Sequence, residues 1–148
     1  MSKKGRFSKV SAKDRGSKGH YFRLILFAGI VILADQLSKA AILKFIPLYH
    51  NIPIIPGFFD LTHVRNPGGA FGFFANQSEG WRQFFFLILT SIAIVTIFYF
   101  YRIIPRSHPW LAAGLALIFG GAVGILIDRI RLGEVVDFLK FYIGKYQW

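Results

Sequence analysis

Cysteine is absent from this chain of 148 residues. Disulfides, thiolate metal sites, a cysteine nucleophile and a lipid-modified cysteine of the chain's own are thereby excluded. Charge is also scarce: 17% of residues are charged, against 54% hydrophobic and 18% aromatic, with a mean hydropathy of +0.48. That balance is too apolar for an ordinary soluble domain of this size and points to a bilayer as the solvent. The four histidines, His20, His50, His63 and His108, lack a metal-ligand spacing such as HExxH, and no phosphate-binding glycine loop is present.

What charge there is lies unevenly. Seven acids face eighteen lysines and arginines, for a net charge of +11. Residues 1–19 alone hold Lys3, Lys4, Arg6, Lys9, Lys13, Arg15 and Lys18 against Asp14. A nucleic-acid-binding arm is disfavoured, because no base-reading module follows and the next segment is membrane-like. The expectation is a basic cytoplasmic tail over residues 1–20 and a single membrane-embedded domain over 21–148.

Three apolar runs supply the spans: Tyr21 to Phe45, Phe84 to Ile104 and Trp110 to Ile127. Arg102 and Arg106 place the short connection after the second run on the same, cationic side as the tail, so the N-terminus is expected inside the cell. Three spans would then leave Trp148 outside. The basic start and the Leu24 to Leu33 apolar stretch resemble a signal peptide, but two further spans and the lack of an A-x-A site favour an uncleaved anchor.

The spans contain charges that require a reason, since a charge at mid-membrane costs roughly 2.5 to 3.5 kcal/mol. Asp35 and Lys39 stand at i, i+4 in ADQLSK and can pair on one helical face. At about 1.5 Å per residue they lie about 18 and 24 Å into the bilayer, and Asp128 lies about 28 Å along the third helix, so the polar groups converge toward the outer side. The pairing suits helix packing, and the same face suits a polar cavity that opens outward. Ser38 beside Lys39 is no Ser/Lys dyad, because adjacent helical side chains do not face one another.

Between the first two spans, Ile46 to Arg82 contains PGFFDLTHVRNPGGAFGFF. Aromatic and apolar residues punctuated by Pro and Gly predict short strands at the membrane surface, with Phe71, Phe73 and Phe74 dipping into the interface. Asn66 opens a strong turn signal and carries an amide able to bind an extended peptide. Gly120, Gly121 and Gly124 in the third span predict close helix packing.

DQLSK at 35–39, NPGGAF at 66–71 and GGAVGILIDR followed by GEVVDF, ending at Phe138, resemble in order and spacing the lipoprotein signal peptidases, or signal peptidase II family. The resemblance runs from Tyr21 to the end. It implies an all-α polytopic membrane protein with four transmembrane helices, of which three are present here, and a strand-containing periplasmic cradle between helices 1 and 2. It implies cleavage of prolipoprotein signal peptides before a diacylglyceryl-modified cysteine, by an aspartic dyad near the outer face of the bacterial inner membrane. The implied partners are such substrates, membrane lipid and globomycin-like inhibitors; no cofactor, metal or nucleic acid is implied.

Carried over by motif, Asp137 corresponds to a catalytic carboxylate. Asp35, Lys39, Asn66, Asp128 and Arg129 correspond to supporting or substrate-binding residues, with Asp128 and Arg129 read as an orienting ion pair. Two departures stand out. Ile125 occupies the Asn position of the family's G-N-x-x-D-R, which removes a polar anchor for Asp128 and Arg129. The second catalytic Asp belongs to an F-N-x-A-D motif expected beyond Trp148. In a dyad one carboxyl stays protonated to polarise the scissile carbonyl while the other activates water. Glu134 is read as a solvated rim residue and no substitute, so the 148-residue chain by itself is expected to cleave little or nothing. The alternative is a noncatalytic membrane protein that binds lipidated peptides.

Overall fold

A computed structural model describes residues 4–68, 77–144 and 146–147. Phe71, Phe73, Phe74 and Trp148, each the subject of an expectation above, lie outside the described residues. The element order is α1 (Lys4–Phe45), β1 (Asn51–Ile55), β2 (Phe59–Asn66), α2 (Glu79–Ile103), α3 (Pro109–Leu132), β3 (Val135–Ile143) and β4 (Tyr146–Gln147).

Among the described residues three helical stretches are long and apolar enough to cross a membrane: Gly19–Phe45, Glu79–Ile103 and Pro109–Leu132. They match the apolar runs: the first two begin a few residues earlier, at Gly19 and Glu79, and the third continues past Ile127 through the polar turn to Leu132. Pro109 opens α3 at a position where its missing N–H is not needed. Gly133 ends α3 in the left-handed region at φ 75°, its N–H donating to the Arg129 carbonyl.

α3 packs against both α1 and α2. Its buried positions are Ala112, Ala116, Gly120, Gly124 and Asp128, a stripe of period four made of small residues and one carboxylate. Small side chains let the backbones approach, as packing inside a membrane requires. A Cβ on Gly120 would stand 2.8 Å from the Ala28 carbonyl oxygen, and one on Gly124 would stand 2.5 Å from Asp35 Oδ2. Gly121, expected to share that role, has nothing within 4 Å of its Cβ position, because it points off the stripe. At the other end of the helices, Tyr101 is fully buried, stacks on His20 and donates its hydroxyl hydrogen to the His20 carbonyl at 2.6 Å.

The sheet is antiparallel with strand order β1-β2-β3-β4. β1 and β2 form the strands expected between the first two helices. β3, which follows α3, completes the cradle and was not foreseen. Its sequence VVDFLKFYI is rich in β-branched and aromatic residues and begins just past the helix stop, which favours an extended strand. The register sets Val64 opposite Asp137 and Asn66 opposite Val135, with an irregularity between Leu61 and Val64. Ile42, Ile46 and Val136 form a small buried cluster that fastens the end of α1 to the sheet.

Candidate functional site

The site is built where α1, α3 and β3 meet. Asp35 and Lys39 rise on one face of α1, and the small-residue stripe of α3 brings Asp128 against them. Lys39 Nζ lies 2.8 Å from Asp35 Oδ2 and 2.7 Å from Asp128 Oδ2, so one ammonium joins two carboxylates on two helices. Lys39 is 5% exposed and Asp128 3%. Charges this deep persist only when paired and hydrogen-bonded.

Gln36, which the sequence reading passed over, supplies much of that bonding. Its amide nitrogen donates to Asp35 Oδ2 at 3.0 Å, to Asp128 Oδ1 at 3.0 Å and to the Gly124 carbonyl at 3.3 Å. Its amide oxygen accepts from Arg131 at 3.3 Å. The available signal was an amide adjacent to Asp35 inside an apolar run, where an unsatisfied polar group is expensive. Asp128 Oδ2 also accepts the Val136 backbone N–H at 3.2 Å. The helix pair is thereby tied to the strand residue that precedes Asp137.

Two expectations are corrected here. Asp128 does not pair with Arg129: consecutive helical residues point about 100° apart, and Asp128 faces α1. Ile125 also does not leave Asp128 unsupported, since Lys39, Gln36 and the Val136 N–H already satisfy it. Arg129 instead lies over the Phe86 ring, 4.8 Å from its centroid. Its Nε and Nη1 are buried and make no hydrogen bond among the described residues.

Asp137 is exposed on β3, and its Oδ2 accepts from Asn66 Nδ2 at 3.1 Å. The two are diagonal neighbours on one face of the β2–β3 ladder. Asn66 is itself oriented, because its Oδ1 accepts the Gly68 N–H at 2.9 Å. Gly68 has φ 131°, a conformation that favours glycine, and a Cβ there would meet the Phe86 ring.

A cavity of about 790 Å³ opens beside these groups. Asp35, Lys39 and Asp137 line it, together with Ile125, Tyr49, Asn51, Thr62 and Val64. The volume suits several residues of extended peptide. Of the residues named from sequence, Asp35, Lys39 and Asp128 form one cluster and Asn66 and Asp137 another. Arg129 joins neither by a hydrogen bond. Asn66 and Asp128 are linked to the cavity wall through Asp137 and Lys39.

Three spans among the described residues, with carboxylates on the wall of a peptide-sized cavity at their end, define a polytopic membrane protein with acidic side chains facing that cavity. The chain belongs to the signal peptidase II family, whose model matches residues 27–148. It is 51% identical over 126 residues to the lipoprotein signal peptidase of Desulforapulum autotrophicum, covering 85% of this chain and 78% of that one. With the lipoprotein signal peptidase of Syntrophotalea carbinolica the identity is 44% over 125 residues, or 84% and 76% of the two chains. A bacterial membrane enzyme solved by the in meso method superposes with a TM-score of 0.70 at 32% identity, over 81% of this chain and 70% of that one.

Proposed function

We propose that this protein removes signal peptides from prolipoproteins carrying a diacylglyceryl-modified cysteine, acting as an aspartic endopeptidase in the bacterial inner membrane. Family membership supports the reaction. The observation that carries the site is Asp137, exposed on the cavity wall and aimed by the Asn66 amide. The family match favours this reading over a noncatalytic binder of lipidated peptides.

The chemistry needs two carboxyl groups. One takes a proton from water as the oxygen attacks the scissile carbonyl carbon, and the other, protonated, delivers its hydrogen to the developing oxyanion. The tetrahedral adduct then collapses as the C–N bond breaks and the amine leaves with a proton. Asp137 fills one role. Asp35 and Asp128 are engaged by Lys39 and Gln36, which fits them for holding α1, α3 and β3 together rather than for exchanging protons with substrate. The second carboxyl is assigned to the family's F-N-x-A-D segment. Arg129 is assigned to substrate backbone or lipid ester oxygen, since its unbonded N–H groups make it a fitting donor. Globomycin-like peptides are assigned to the same cavity.

In this reading the N-terminus is cytoplasmic and the sheet lies at the outer face, where the modified cysteine of a secreted precursor arrives. The test is cleavage of a diacylglyceryl-modified prolipoprotein in liposomes by the protein continued through the F-N-x-A-D segment. Cleavage lost on Asp137→Asn, and absent with an unmodified cysteine, supports the assignment. Undiminished cleavage by Asp137→Asn overturns it.

A further inference from the structure

We infer that Asn51 is a peptide-binding residue, donating a hydrogen bond to a substrate backbone carbonyl three to four residues from the scissile bond. The inference rests on the peptidase reading above and extends it to a subsite distant from Asp137. Asn51 opens β1 and lines the same cavity as Asp137. Thr62, opposite it on β2, is 3% exposed and donates its hydroxyl hydrogen to Asn51 Oδ1 at 2.7 Å. With the amide oxygen engaged, the amide orientation is set and the NH2 group is left over. That NH2 makes no hydrogen bond among the described residues. A group that can only donate, on a cavity wall, suits a carbonyl oxygen.

The backbone around Asn51 is held as a binding residue requires. Tyr49 stands at φ 63°, a sparsely populated region for a side-chain-bearing residue, and is 72% exposed at the cavity. Its N–H donates to the His63 carbonyl at 2.8 Å, while the His63 N–H donates to the His50 carbonyl at 3.2 Å. His63, in turn, is anchored through Nδ1 to the Ile46 carbonyl at 2.7 Å. The segment from Tyr49 to Asn51 is therefore fixed before any ligand arrives, which reduces the ordering cost of binding.

Strand geometry converts register into reach. Asn51 pairs with Thr62, and Asp137 pairs with Val64, two residues further along β2. Crossing two strand spacings of about 4.8 Å and two residues of about 3.3 Å, shortened by the irregularity between Leu61 and Val64, places Asn51 about 10–12 Å from Asp137. An extended peptide covers that distance in three to four residues.

The experiment is a double-mutant cycle on binding. The probe is a diacylglyceryl-cysteine signal peptide with a reduced, uncleavable scissile bond, titrated against the purified protein in detergent. A series of peptides carries one backbone ester each, two to five residues to either side of the scissile bond, since an ester carbonyl is a weaker acceptor. The expected result is one position, three or four residues away, at which the ester weakens binding about three- to tenfold to the wild type and not at all to Asn51→Ala. Asn51→Asp, which keeps the size but loses the donor, should behave as Asn51→Ala does and serves if the alanine variant fails to fold. A purely structural Asn51 would weaken all peptides alike. If wild type and variants respond equally to every ester, the inference falls while the peptidase reading stands; if the wild type binds none of the peptides, both fall.

Discussion

Lys39 has two carboxylates to hold and no solvent to help it. Replacing it with Met would leave Asp35 and Asp128 facing each other in a buried site without a cation. Breaking a buried pair in this way costs about 3–5 kcal/mol. The expected outcome is a marked fall in the thermal unfolding midpoint in detergent, and an unchanged midpoint would show that the cluster contributes nothing to the fold. Asp137→Asn should do the opposite: unfolding unchanged, because the residue is exposed and an amide fits beside Asn66, with cleavage reduced by about 10² to 10⁴ in the F-N-x-A-D-bearing protein. Half of the Lys39 arrangement was legible, because the i, i+4 spacing of Asp35 and Lys39 is a property of one helix. The Asp128 half was not, since spacing along α3 cannot say which neighbouring helix its carboxylate meets. The adjacent Arg129 drew the pairing instead.

Among the elements, α3 shows most directly how a stripe of small residues carries structure. Gly124→Ala sets a methyl against Asp35 Oδ2, whose carboxylate is not free to swing away from Lys39 and Gln36. A loss of about 1–3 kcal/mol is expected, read as a lower unfolding midpoint. Gly121→Ala, with open space around it, should be neutral or gain about 0.5–1 kcal/mol from helix propensity. Equal effects at the two sites would refute the packing stripe. On the sheet, the Tyr142 hydroxyl donates to Asp60 at 2.9 Å, and that bond raises the Tyr142 pKa above its ordinary value. Its contribution is therefore complete below about pH 10 and disappears as pH rises through the higher folded value. Tyr142→Phe should flatten the alkaline arm of an unfolding-versus-pH curve in that window. The helices were readable to within a few residues because apolar runs of span length admit little else. β3 was not, because a strand that pairs with β2 from some seventy residues away leaves only a local preference in its own sequence.

For the whole molecule, the missing cysteine becomes an experimental advantage. Single cysteines at Ser78, before α2, and at Ser107, between α2 and α3, have no competing thiol in the chain. With the N-terminus inside, a membrane-impermeant maleimide should label Ser78→Cys in intact cells and Ser107→Cys only after lysis; the reverse pattern would invert the proposed topology. The Asp35–Lys39 pair also bears on how such a chain is made. Because both charges belong to α1, the Asp35–Lys39 pair can enter the bilayer during synthesis already neutralised, before α3 exists. Asp128 forms its ion pair with Lys39 of α1, so that pair closes only once α1 is already in place. The intrahelical Asp35–Lys39 pair therefore needs α1 alone, whereas the Lys39–Asp128 pair needs two helices side by side, so the order of segments along the chain is also the order in which the two pairs can close.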